Sequence, residues 1–267
     1  GHRFTYPYTP GQPGHEATGY VEAVGRDVDS VRPGDRVCAW RDQGHDVWGC
    51  YAQYVILKAA NALPIPAGLG PESWASIELA MCLGTPIRNL REVGAIAGKR
   101  FGVMGLGPAG VIAAQMARAE GAAQVVGFDL IPARRQFALR HGCDECHDTS
   151  EAALDRFPLR RTVEAGIECN GARGSVQWLL DHTAEAVALF GVQREDYAYE
   201  LKHAGLTVLG YKGHHREAAE YSRELIAAGK LDLAPLATVQ LPLERYNEGI
   251  ELLERREAMK VLYRPWS

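Results

Sequence analysis

The chain has 267 residues, 46% of them hydrophobic and 23% charged, with a net charge of −4. This is the balance of an ordinary soluble globular protein with room for two modest domains. A pI near 6.2 and the lack of a basic stripe argue against a nucleic-acid partner. No apolar run reaches the ~18 residues of a membrane span, and Gly1 to Pro10 are too polar and aromatic for a secretory signal. Six cysteines scattered over this length read as reduced thiols of a cytoplasmic protein rather than as a disulfide framework.

The first 65 residues alternate short apolar runs with glycine and proline. Gly19 to Gly25 predicts a strand closed by a turn, Val31 to Val37 a turn feeding a strand, and Tyr51 to Leu57 a third strand, the signature of a small β-rich region. From Pro71 the pattern changes, and Glu72 to Arg91 carries helical spacing behind a proline at the helix start. Strand and helix signals then alternate. Arg100–Met104 is a strand, Ala109–Glu120 an alanine-rich helix with almost no polar face, Gln124–Phe128 a strand and Ala133–His141 a helix. Further strands are predicted at Thr162–Glu168, Ala186–Phe190 and Leu206–Gly210. Such alternation implies a parallel sheet covered on both faces. From His214 the chain returns to helix, passes Leu241-Pro242, and enters a charged helix that ends before Lys260–Tyr263.

A glycine-rich loop, Gly105-Leu106-Gly107-Pro108-Ala109-Gly110, joins the Arg100–Met104 strand to the following helix. A bare G-x-G-x-x-G is weak, but here an apolar strand enters it and an apolar helix leaves it. Gly105 permits the tight turn, Gly107 lets backbone approach a pyrophosphate, and Gly110 lets helix and strand pack closely. Pro108 and Ala109 open the helix, whose N-terminal amides favour phosphate. Asp129 stands at the end of the next strand, where an acid accepts the ribose hydroxyls and repels a 2′-phosphate. This favours NAD over NADP. Arg134 and Arg135 pull the other way, since an arginine stacks on adenine or holds a 2′-phosphate.

The stretch Gly14-His15-Glu16, with Val21, Val24-Gly25, Val28 and Pro33-Gly34-Asp35-Arg36-Val37, resembles the medium-chain dehydrogenase/reductase superfamily, and within it the zinc-type alcohol and polyol dehydrogenases of the sorbitol and threonine branch. The likeness continues through the glycine loop, Gly121–Val126, Asp129, Ile167-Glu168-Cys169-Asn170-Gly171-Ala172, Leu241–Glu244 and Met259-Lys260-Val261, so it covers almost the whole chain. It implies a doubly wound Rossmann domain for NAD, residues 87–213, and a GroES-like β-rich catalytic domain from residues 1–86 and 214–267. It also implies that His15 ligates a catalytic zinc, with Glu16 as ligand or close partner and Glu78 as a further acid; Cys82 competes with Glu78. Cys169 and Asn170 are placed at the nicotinamide end of a strand, and Lys260 aligns with a basic residue that reaches the pyrophosphate. A homodimer or homotetramer, pairing through Ala186–Gly191 and Leu206–Gly210, is expected from relatives.

Two features depart from the family. The cysteine ligand that relatives carry upstream of Gly-His-Glu has no counterpart in the 13 residues before Gly14, so the sequence reads as N-terminally shortened. Cys38 and Cys50 stand apart, without the clustered cysteines of a structural zinc lobe, so no structural zinc is expected. Cys143-Asp144-Glu145-Cys146-His147 matches both a haem-attachment and a redox C-x-x-C pattern, but two incidental thiols beside a turn is the simpler reading. His45 is a loop histidine, and His214-His215 a surface pair. The resemblance therefore implies an NAD-dependent oxidoreductase acting on a secondary alcohol or its ketone, such as a polyol or sugar derivative. Its rivals are a zinc-free reductase of activated double bonds or quinones and a non-catalytic dinucleotide-binding protein.

Overall fold

A computed structural model of the protein describes residues 13–41, 47–150, 157–159, 162–211 and 213–266. Gly1 to Pro10 and His45, which figure in the sequence reading, lie outside them. The chain divides into two compact units, one of residues 1–81 with 232–267, the other of residues 82–231.

The first unit begins with three antiparallel strands in the order β1 (Ala17–Tyr20), β2 (Arg36–Ala39) and β3 (Ala62–Pro64). Val31, Val37 and Ala62 are buried together, with Val21, Val28 and Leu57 packed on them. The strand expected at Tyr51–Leu57 does not form; the segment runs through bends and leaves Ile56 92% exposed. Its alternation serves anchoring instead. The Tyr51 ring packs on Tyr246 and Tyr263 with centroids 5.4 and 5.2 Å away, and Gln53 donates to the Pro265 carbonyl at 3.0 Å. The helix expected from Glu72 begins later. A single 3-10 turn, Pro71–Ser73, precedes the fully buried Trp74, and only then does α1 (Ile77–Glu92) run on into the second unit.

In the second unit β4 (Arg100–Met104), β5 (Gln124–Phe128), β6 (Glu145–His147), β7 (Val163–Glu168), β8 (Thr183–Leu189) and β9 (Thr207–Gly210) form one sheet. Its order is β6-β5-β4-β7-β8-β9, and every pairing is parallel. The order reverses between β4 and β7, the Rossmann arrangement. The helices are α2 (Pro108–Ala119), α3 (Pro132–Arg140), α4 (Arg173–His182) and α5 (Arg216–Ala227). Gly110 to Ala114, Met116 and Ala117 of α2 are all buried, which is why that helix lacks a polar face. β6 escaped the sequence reading because it is a three-residue edge strand of half-buried, mostly polar residues. A buried polar pair fixes the α4–β9 connection. The Nδ1 of fully buried His203 accepts the Glu200 N–H at 2.8 Å, so its Nε2 carries the proton it gives to Asp181 Oδ1 at 2.6 Å.

The chain then returns to the first unit with β10 (Val239–Pro242), α6 (Tyr246–Glu254) and β11 (Val261–Arg264), the two strands pairing in parallel. Tyr263 lies over Gly249 of α6, where a Cβ would stand 2.1 Å from its hydroxyl.

Candidate functional sites

In the second unit the turn out of β4 is made by Gly105 at φ +90°, a conformation that a side chain disfavours. Its N–H is bonded to the Phe128 carbonyl at 2.8 Å, so the turn is tied to the end of β5. A Cβ on Gly110 would lie 1.9 Å from the Gly105 carbonyl oxygen, so α2 and β4 meet backbone to backbone there. Over Gly107 the space is open, with only Arg134 Nη1, 3.9 Å away, near the position of a Cβ. Gly107 is the N-cap of α2 and Pro108 its first residue, which directs the first-turn amides of Ala109 and Gly110 out of the helix end. The result is a cradle of N–H groups beneath a guanidinium, shaped for phosphate.

Asp129 is held rather than free. Its Oδ2 accepts the Leu106 N–H and its Oδ1 the Ile131 N–H, both at 2.8 Å, and the residue is buried. Each oxygen keeps a further lone pair for a hydroxyl donor. Arg134 Nη1 is 3.9 Å from Oδ2, while Arg135 is committed elsewhere, to the Asp129 carbonyl and to Asp148, each at 2.8 Å.

Across the switch point the end of β7 lies beside the loop. The Cys169 N–H donates to the Met104 carbonyl at 2.8 Å, and a Cβ on Gly105 would meet Asn170 at 3.2 Å. Glu168, fully buried, braces this turn through the Asn170 and Gly171 N–H groups at 2.9 Å. Burial raises its carboxyl above the usual range although both amides oppose the shift. Burial, aided by Glu168, also drives the Cys169 thiol well up.

In the first unit Gly14, at φ +97°, passes directly under the Tyr51 ring, where a Cβ would sit 2.8 Å away. The Cys50 and Tyr51 N–H groups donate to the Gly14 and Pro13 carbonyls at 2.9 and 3.0 Å. This backbone ladder sets His15 and Glu16 beside Glu78, a buried acid in the first turn of α1, where the helix dipole favours negative charge. His15 Nε2 is 3.7 Å from Glu78 Oε2, and the ligand atoms of His15, Glu16 and Glu78 all lie within 4.8 Å of one another. Lys260 donates its ammonium to Glu16. Nearby, burial and the two carboxylates push the Cys50 thiol up to about 12. A recess of about 930 Å³ opens beside this cluster, lined by His15, Glu16 and Lys260 together with apolar side chains including Val21, Leu57 and Trp266.

Residues 1–67 match the family model of the alcohol dehydrogenase GroES-like domain. The chain is 29% identical to the L-threonine 3-dehydrogenase of Bacillus subtilis (strain 168), an alignment spanning 96% of this chain and 82% of the relative. It is 28% identical to the sorbitol dehydrogenase of Homo sapiens over 93% of this chain and 78% of that one. The fold matches the crystal structure of galactitol-1-phosphate dehydrogenase from Escherichia coli with a TM-score of 0.84, covering 97% of this chain and 85% of the other at 24% identity. In sequence and in fold the chain thus resembles the medium-chain dehydrogenase/reductase superfamily over almost its whole length.

The protein brings its sequence-predicted residues together in two groups. Gly105, Gly107, Pro108, Ala109, Gly110, Asp129, Arg134, Cys169 and Asn170 lie at the carboxyl ends of β4, β5 and β7. His15, Glu16 and Glu78 form the second group. Lys260, aligned by likeness with a pyrophosphate contact, is found on Glu16 in that second group. Sequence reasoning missed Glu168 as a brace, because nothing in a lone acid at a strand end shows that backbone amides will close on it. It also passed over Cys50, whose place beside the acids is set by long-range pairing with Gly14.

Proposed function

We propose that this medium-chain dehydrogenase/reductase passes hydride between NAD(H) and a secondary alcohol or its ketone, with a polyol, sugar derivative or similar hydroxyl-rich molecule as substrate. The observation that carries the reading is the convergence of His15, Glu16 and Glu78 to within 4.8 Å in the unit that bears the alcohol dehydrogenase GroES-like match. The relatives are named for L-threonine and sorbitol, both hydroxyl compounds. The first unit is assigned the substrate and the second the dinucleotide.

The three side chains fit a zinc ion. Nitrogen and oxygen ligands at about 2.0–2.2 Å in a tetrahedral array stand roughly 3.4 Å apart, close to the 3.7 Å between His15 and Glu78. When bound, zinc supplies the Lewis acidity that lowers the pKa of an alcohol hydroxyl. Glu78 contributes a buried negative charge, Lys260 pairs with Glu16, and the apolar wall of the recess holds the carbon body of the substrate and excludes water. In the second unit the Gly107 cradle and Arg134 take the pyrophosphate and Asp129 the adenosine ribose. The Asp129 charge disfavours a 2′-phosphate, hence NAD over NADP. Self-association is assigned to the edge of β9, which among the described residues pairs with β8 alone.

One observation favours the zinc-free reductase. The Lys260 ammonium already compensates Glu16. Elemental analysis of purified protein and of His15→Ala, alongside NADH formation with secondary alcohols and polyols, decides. About one zinc per chain, lost in the variant together with alcohol oxidation, is expected. Zinc in neither protein, with reduction of quinones by NADH, would transfer the assignment to the metal-free reductase.

A further inference from the structure

Cys143 and Cys146 were read from sequence as incidental thiols, but the fold builds them into a pair. Both sulfurs lie over Gly127 of β5, where a Cβ would be 2.9 Å from Cys146 Sγ and 3.0 Å from Cys143 Sγ. Only glycine at position 127 leaves room for both.

The turn that carries them is fixed on every side. The Cys143 N–H bonds to the Ala138 carbonyl and the Asp144 N–H to the Val125 carbonyl, each at 2.9 Å. The Asp144 carboxylate accepts the Val125 N–H at 2.7 Å and the Arg118 guanidinium at 2.8 Å, and Cys146 stands in register with Gly127 across the β5–β6 ladder. Both sulfurs are therefore presented at the same point over β5 by a turn that is already in place.

They are also unequal. Cys143 is 5% exposed, whereas Cys146 is half-buried and open to a reagent. Against its partial burial, the neighbouring Cys143 thiol, the Gly127 N–H and the Arg135 guanidinium hold the Cys146 thiol below its ordinary range, and the proximity of Cys146 together with burial raises Cys143. Elsewhere burial pushes Cys38 and Cys50 up to about 12 and Cys169 well above the ordinary value. Among these five, reactivity toward disulfides concentrates at Cys146.

We propose that Cys143 and Cys146 are a reversible dithiol–disulfide site, entered at Cys146, that exchanges with low-molecular-weight disulfides. The Cys146 thiolate attacks one sulfur of R–S–S–R, forming a mixed disulfide and expelling R–S⁻. Cys143 then loses its proton to solvent and attacks Cys146 Sγ, closing the internal S–S bond and expelling the second R–S⁻. Two electrons pass from the protein to the reagent, which leaves as two thiols.

The test treats the full chain at neutral pH with oxidised glutathione, followed by intact-mass measurement, thiol titration and peptide mapping. The expected result is loss of two titratable thiols, a mass lower by two hydrogens, one linkage between Cys143 and Cys146, and full reversal by dithiothreitol. Cys143→Ser is expected to stop at one glutathionyl group on Cys146, and Cys146→Ser to take neither the linkage nor an adduct at Cys143. Circular dichroism establishes that each variant is folded, and Cys143→Ala replaces Cys143→Ser if the buried hydroxyl unfolds it. A chain that keeps both thiols under conditions that oxidise a simple dithiol, or a Cys143 variant that carries no adduct on Cys146, would overturn the proposal.

Discussion

The Leu106 N–H donates to Asp129 Oδ2 at 2.8 Å, so the acid at the end of β5 helps to hold the glycine loop at the end of β4. One carboxylate thus braces the loop and, in the proposed function, also takes the ribose. Asp129→Ala removes both. A hydrogen bond to a charged group contributes about 1.5–3 kcal/mol, so NADH affinity measured by fluorescence titration should fall roughly tenfold to a hundredfold. NADPH affinity should fall less, because the repulsion of its 2′-phosphate disappears with the charge. Equal losses for both cofactors would place the ribose elsewhere.

Gly110→Ala introduces a Cβ 1.9 Å from the Gly105 carbonyl oxygen. Backbone cannot yield there without moving α2 off β4, so a stability loss of about 1–3 kcal/mol or more is expected, seen as a lower melting temperature together with lost NADH binding. Gly174, whose added Cβ meets nothing within 4 Å, is the control.

Lys260→Met frees Glu16 from its ammonium partner. If His15, Glu16 and Glu78 hold zinc, the lysine competes with the ion for the same carboxylate, and its removal should tighten zinc binding several-fold in a competition titration with a chelator. Weaker binding would mean that Lys260 orients Glu16 for the metal rather than opposing it.

Asp181 carries a pH signature. Burial raises its carboxyl, but His203, Gln177 and Lys202 outweigh that and leave it lowered. A folded pKa below the unfolded value of about 3.9 makes its stabilisation fully present above that value and lost as pH falls through the lowered folded one. Asp181→Asn should therefore cost stability at pH 6, and the gap to the parent protein in urea denaturation should narrow below about pH 4. A gap independent of pH would assign the effect to packing.

Oxidation at Cys143 and Cys146 should reach the dinucleotide loop. Closing an S–S bond of about 2.05 Å draws in the turn before β6, and the His147 carbonyl of that strand accepts the Asp129 N–H at 3.1 Å. NADH is expected to bind the oxidised protein several-fold more weakly than the reduced one. Cys143→Ser, treated with oxidant and then with dithiothreitol, should show no lasting change.

The parts legible in sequence are those whose chemistry is local. Gly105 and Gly110 announce a loop because a side chain suits neither the conformation of the first nor the close approach at the second, and Asp129 follows one strand later. The strands that a core buries on both faces, such as β4, are visible as apolar runs. β6 is not, because it is short, polar and at an edge. The 51–57 segment misleads for the converse reason. Its alternation looks like a strand, yet Tyr51 and Gln53 are spent on Tyr263 and Pro265. Partners two hundred residues away leave no local trace, and the same holds for Lys260 on Glu16.

That distance has a consequence for how the protein is made. Glu16 and Lys260 are 244 residues apart, and Gln53 and Pro265 212, so the first unit takes its wall from both sides of the second. On the ribosome the segment that bears His15 emerges before the second unit and must wait, its tyrosine cluster unfilled, until α6 and β11 follow. Residues 82–231 meet no such delay, since all their strands arrive consecutively. The Rossmann sheet is therefore free to settle before α6 and β11 are made, whereas the unit that bears His15 cannot close until they are, and chaperone demand should fall on that unit.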